Sequence, residues 1–197
     1  MNSLETSFKT RFKCLGELSD LEEAISRYRN AVDLTPDDHP DRPHHLSNLG
    51  NTFSTRVQHL GNLSDLKEAI SSHRDAADLI PDGYPDKLAL LNNLANSFLT
   101  HFQRLGELSD LDGAFSRYRD ALDLIPAGHP HTSNLLNNLR NSFLTHFKHL
   151  EEPSDLEEAL SRHRDTVELT PAGHPDKSAH LNNLGKLSKL VSSVTGS

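Results

Sequence analysis

Residues 19–61 read SDLEEAISRYRNAVDLTPDDHPDRPHHLSNLGNTFSTRVQHLG. In the first half, Leu21, Ala24, Ile25, Tyr28, Ala31 and Val32 recur at steps of three and four. That is one apolar stripe on an α-helix, here named helix B. Ser19 with Glu22 has the spacing of a capping box, which predicts a start at Ser19. Pro36 cannot continue the helix, so it stops near Leu34. In the second half, Leu46, Leu49, Phe53, Val57 and Leu60 step by 3, 4, 4 and 3 and mark a second amphipathic helix, helix A. Pro40 suits its first turn and Gly61 its C-terminal stop. At about 20 residues, helix A spans about 30 Å.

The same text recurs along the whole chain. Ser-Asp-Leu begins at Ser19, Ser64, Ser109 and Ser154, each 45 residues after the last. The shift also relates Pro36, Pro81, Pro126 and Pro171, then Pro40, Pro85, Pro130 and Pro175. Four periods leave 17 of the 197 residues over. Self-similarity at such a period marks a repeat architecture. Short connections make neighbouring helices antiparallel, and stacked hairpins share a thin continuous core. The expected fold is all-α: a right-handed α-solenoid of antiparallel helix hairpins with a 45-residue period. It forms a single array over 1–197. A truncated helix A fills 1–15, units follow at 16–60, 61–105, 106–150 and 151–197, and a capping helix spans about 177–194. No strand pattern of period two appears.

Composition agrees. Aromatic residues are 6% and Trp is absent, too little for one large globular core but enough for many shallow layers. Lys plus Arg is 20 and Asp plus Glu is 28, a formal net charge of −8, which disfavours nucleic acid and anionic membrane as partners. The single cysteine, Cys14, permits no intramolecular disulfide. No apolar run approaches a membrane span, and the N-terminal residues lack a secretory apolar stretch, so the expected location is cytoplasmic.

The unit resembles the tetratricopeptide repeat. Leu46, Leu49-Gly50 and Phe53 in helix A, with Ala69, His73, Ala76 and Pro81 in helix B, stand at that family's spacing. The family's usual period is 34; the 11 extra residues divide as 7 between Gly50 and Ala69 and 4 between Pro81 and Leu91. His174-Pro175-Asp176 and Leu181-Asn182-Asn183-Leu184 are similar to the long, kinesin-light-chain-type repeats found in fungal scaffold proteins. Arg140 departs from the pattern where a small residue follows Leu, and Thr166 replaces the second Ala of helix B. The resemblance implies a protein–protein interaction scaffold whose helix A lines a concave groove for a protein or peptide segment.

The residues point to the same groove. Asn48, Asn93, Asn138 and Asn183 recur at one phase of helix A. Asn51, Asn96 and Asn141 follow three residues later, with Lys186 in the last copy. Asn is a mediocre helix former, whereas its amide offers donors and an acceptor to a partner backbone. These eight residues are the expected partner-binding set; the alternative use is bonding between neighbouring helices. Thr55, Thr100 and Thr145, with Arg56, His101 and His146, could extend the groove. Arg29, Arg74, Arg119 and Arg164 each precede an acid by four residues (Asp33, Asp78, Asp123, Glu168), which predicts ion pairs within one helix.

No enzyme, cofactor or metal is expected. The sequence has no Gly-rich phosphate loop, no H-E-x-x-H and no G-x-S-x-G. His39, His129 and His174 each precede a loop proline at least one repeat apart, too far for shared ligation, and Tyr84 takes that place in the second copy. A second functional reading makes the array a structural or regulatory arm of a larger protein, with no ligand of its own. Neither the partner nor the oligomeric state is legible from these residues.

Overall fold

The computed structural model describes residues 18–124, 132–150, 153–175 and 177–195. The expected truncated helix over 1–15 and Cys14 lie outside these residues, as do Pro126, His129 and Pro130. Among the described residues the regular structure is helical: α1 (Leu18–Leu34), α2 (Arg42–Leu60), α3 (Leu63–Asp78), α4 (Pro85–Leu105), α5 (Leu108–Asp123), α6 (Thr132–Leu150), α7 (Pro153–Leu169) and α8 (Lys177–Thr195). The odd-numbered helices are type B and the even-numbered type A. Among the described residues no helix is long and apolar enough to cross a membrane.

The chain forms two compact units, Met1–Glu107 and Leu108–Ser197. In the first, α1 packs on α2, α2 on α3 and α3 on α4, and the type-A helices α2 and α4 also touch. In the second, α5, α6, α7 and α8 pack in the same order, with α6 touching α8. The core of the first unit gathers Ala24, Ile25, Tyr28, Leu49, Phe53 and Ala69, with Val32 against it. These are the two predicted stripes meeting face to face. Small residues at Ala24 and Ala69 let the helices approach closely enough for thin layers to close.

Helix ends follow local chemistry, with one difference from expectation. Gly61 and Gly106 take left-handed φ values of 68° and 74° and return their N–H to Val57 O and Phe102 O. The predicted capping serines fall inside the first turn instead. In α3 the cap is Asn62, whose side chain accepts from Ser64 N at 3.0 Å. The Ser64 hydroxyl also donates to Asn62 Oδ1, at 2.9 Å, so it is spent on the capping residue and does not cap the helix itself. Type-A helices start at Pro85 in the second copy but two residues later in the others, at Arg42, Thr132 and Lys177.

Each of three type-A helices also carries a cation that closes the preceding type-B helix. Lys87 Nζ donates to Ala77 O and Ile80 O, both at 2.8 Å. Arg42 donates to Val32 O at 2.6 Å and to Thr35 O, and Lys177 donates to Val167 O and to Thr170 O. A cation there satisfies the last carbonyls and meets the negative end of the helix dipole. Lys87→Met is expected to lower the stability of the first unit by about 1–2 kcal/mol, since two charge-assisted bonds are lost at a largely buried site. Thermal unfolding followed by circular dichroism measures it; an unchanged midpoint would remove the capping role.

Candidate functional site

Successive type-A helices lie side by side within each unit, so their equivalent residues form rows. In the first unit a cleft of about 400 Å³ opens between α2 and α4. Asn51, Ser54 and Gln58 line it from α2; Asn93, Asn96, Ser97, Leu99, Thr100 and Gln103 line it from α4; His73 of α3 lies at its edge. Every lining side chain except Leu99 is polar, and none is a carboxylate, lysine or arginine. Such a wall offers donors and acceptors without a fixed charge.

The expected partner-binding residues divide into different environments. Asn51, Asn93 and Asn96 come together in this cleft, and Asn48 is half-buried beside it on α2. Asn93 also donates to Ser47 Oγ on α2 at 3.4 Å, a long bond. In the second unit Asn183 donates to Asn137 Oδ1 on α6 at 2.8 Å. The Asn48-type column therefore ties one type-A helix to the next in these two places. Asn138 is half-buried, whereas Asn141 and Lys186 are exposed. Thr55, Thr100 and Thr145 turn their hydroxyls to Asn51 O, Asn96 O and Asn141 O, each at 2.8 Å.

Arg56 is not a groove residue. Its Nε and Nη2 donate to Asp65 Oδ2 and Oδ1, both at 2.6 Å, and Asp65 is buried at the start of α3. That hydrogen bonding raises the Arg56 pKa above its usual value. Arg29 and Arg119, two of the four arginines expected to pair within their own helix, pair with acids on the neighbouring type-B helix instead. Arg29 reaches Glu68 at 3.9 Å, Arg119 meets Glu158, and Arg162 meets Asp123 at 2.8 Å. Arg29 also stands over the Phe53 ring at 5.2 Å and Arg74 over Phe98 at 5.7 Å, which carries them away from their own helix.

A polar row beneath the cleft escaped the sequence reading. Ser97 Oγ donates to Asn93 O at 3.1 Å, so with its one proton used it accepts from His73 Nδ1–H at 2.8 Å. The 45-residue shift carries this pair to Tyr118 and Ser142, which are likewise bonded and buried. Burial raises the Tyr118 pKa, with the Ser142 bond opposing it. The row also explains the small residue after Leu: a Cβ on Gly50 would sit 2.6 Å from the His73 ring. Arg140, in that column, instead extends its guanidinium to Asn183 Oδ1 and Asn141 Oδ1, both at 3.4 Å. The signal was available as a second column, Thr52, Ser97 and Ser142, in an otherwise apolar register.

A further hollow, in the second unit, is lined by Asp112, Phe115, Ser116, Arg119, Asp120, Asp123 and His146. Phe115 packs there on Phe143 at 4.5 Å and against His146 at 5.1 Å. Arg119 there is spent on Glu158, and His146 Nε2 lies 3.6 Å from Asp112 Oδ1.

No protein-family profile matches the sequence, and no curated protein matches it significantly. Solved structures do match. The Podosopora anserina protein described as kinesin light chain nearly identical TPR-like repeats superposes with a TM-score of 0.67 at 14% identity, covering 98% of this chain and 94% of that one. A point variant of the same protein gives 0.67 over 98% and 93%. BtubC (BKLC) from P. vanneervenii gives 0.62 at 19% identity, covering 90% of this chain and 67% of that one. Likeness at such identities speaks for the backbone arrangement, and on that ground the chain is a TPR-like helical repeat protein by fold.

Proposed function

We propose that this protein is an interaction scaffold that holds an extended peptide segment of a protein partner in the cleft between α2 and α4. The observation that carries the reading is the cleft's chemistry: amides of Asn51, Asn93 and Asn96 from two successive helices face one open space with hydroxyls and Gln58 and Gln103 around them. An amide supplies both donors and an acceptor, so such a wall pairs with a peptide backbone with little regard to its side chains. Selectivity then rests on positions that change between copies, such as Ser54 and Leu99. The net charge of −8 favours protein over nucleic acid as the partner.

The test is a screen of a random peptide library against the full chain, followed by the Asn51→Ala/Asn96→Ala variant. With about 1 kcal/mol per lost hydrogen bond, the double variant is expected to bind selected peptides about tenfold or more weakly at unchanged thermal stability. Equal loss of stability and binding would show instead that these amides serve to bond neighbouring helices, as Asn93 and Asn183 already do. Failure of the full chain to select any peptide would favour the structural-arm reading.

A further inference from the structure

Four rings occupy one buried column of the type-B helices: Tyr28, His73, Tyr118 and His163. For the first three, the residue 24 positions on is a buried hydroxyl, Thr52, Ser97 or Ser142. In the fourth it is Leu187, also buried. His163 thus keeps the imidazole but loses the group that answers it.

Its surroundings admit only the neutral ring. His163 is 1% exposed, and its Nδ1–H donates to Ala159 O at 3.1 Å on its own helix. Nε2 therefore carries the lone pair, and it is buried with no hydrogen-bond partner among the described residues. The charged or titratable groups that bear on it are Arg140 from α6 and His180 from α8, both cations or potential cations. His180 is itself buried and engages Thr170 Oγ1 through Nδ1 at 3.2 Å. Burial pushes the His163 pKa below its usual value, and Arg140 and His180 push it further; only the Ala159 carbonyl opposes them. A proton on Nε2 would be a buried N–H with no acceptor, next to a guanidinium.

We propose that His163 makes the α7–α8 helix pair acid-sensitive: it takes up a proton only when α8 separates from α7, so acidification opens this helix pair. The sign follows from linkage. With α8 detached, the imidazole titrates near pH 6.5; with α8 docked, it titrates lower. Between those values the open form holds more protons, so docking weakens as the pH falls below about 6.5 and is unaffected above it. One proton changes the opening equilibrium by at most about tenfold per pH unit.

Amide hydrogen exchange on the full chain at pH 7.5, 6.5 and 5.5, corrected for intrinsic exchange rates, tests the idea. Opening of α8 is expected to increase by up to tenfold per unit below pH 6.5, with the α1–α2 pair, whose ring is Tyr28, as internal reference. His163→Tyr places there the residue of the first and third copies and should flatten the dependence. His163→Gln, which keeps a polar side chain but cannot take up a proton, should flatten it likewise, and it serves where the tyrosine variant folds poorly. Constant α8 protection in the unaltered protein, or an undiminished slope in either folded variant, would overturn the proposal.

Discussion

Replacing Arg56 with methionine is expected to destabilise the first unit by about 3–5 kcal/mol, the usual cost of leaving a buried charge without its partner. The chain of causes is short. Asp65 sits at the start of α3 at 2% exposure, and its two oxygens are each held at 2.6 Å by the Arg56 guanidinium. Methionine keeps most of the stem's packing but removes the charge and both donors. Asp65 must then stay ionised without a cation, become protonated, or draw in water, and each costs stability. The stem also lies near Phe53, with the guanidinium 5.6 Å from the ring centroid, so the same change loosens the α2–α3 contact. The double variant Arg56→Met/Asp65→Leu separates charge from packing, because removing both members of a buried pair often costs little. Urea unfolding gives both numbers. A loss under about 1 kcal/mol for the single variant would show that the pair is a surface ornament in energetic terms.

The second large effect is Phe53→Ala, expected to cost about 3–5 kcal/mol. Phe53 is fully buried within the cluster of Ala24, Ile25, Tyr28, Leu49 and Ala69, beneath Arg29. In a stacked array no deeper layer compensates, because each layer contacts only its neighbours. Phe53→Leu should recover much of the loss, because leucine leaves a smaller cavity than alanine. In α8 the same column holds Ser188, half-buried. Should Phe53→Ala unfold within about 1 kcal/mol of the unaltered chain, the layered core would not be the source of stability in this unit.

Much of the fold was legible before any coordinates. The apolar steps of three and four in residues 21–32 and 46–60 specify two helices. Pro36, Gly61 and their equivalents specify where helices end. Both kinds of information are local: a periodicity of 3.6 and a backbone that proline and glycine cannot hide. The groove was legible in part for the same reason. Periodicity places Asn51 and Asn96 on one face of their helices, and the cleft between α2 and α4 contains them.

What lay beyond the sequence is the choice of partner for each polar side chain. Arg29 was expected at Asp33 and goes to Glu68; Arg56 was assigned to the groove and goes to Asp65. Periodicity names the face of a helix but not the residue opposite it, which depends on how far apart and at what stagger two helices pack. The repeat did hold further signals of this kind. Thr35 with His45 and Thr170 with His180 are a polar pair where the two copies between them hold Ile80 with Leu90 and Ile125 with Leu135, so both members change together. The Thr170–His180 bond shows that such paired exchange reports contact. By itself, then, the sequence determined a helical repeat with its helix boundaries and faces, because those depend on neighbours in the chain. Only the tertiary structure decided which amides tie helices together, which face the cleft, and that His163 is buried without an acceptor, because those depend on what one helix lays against another.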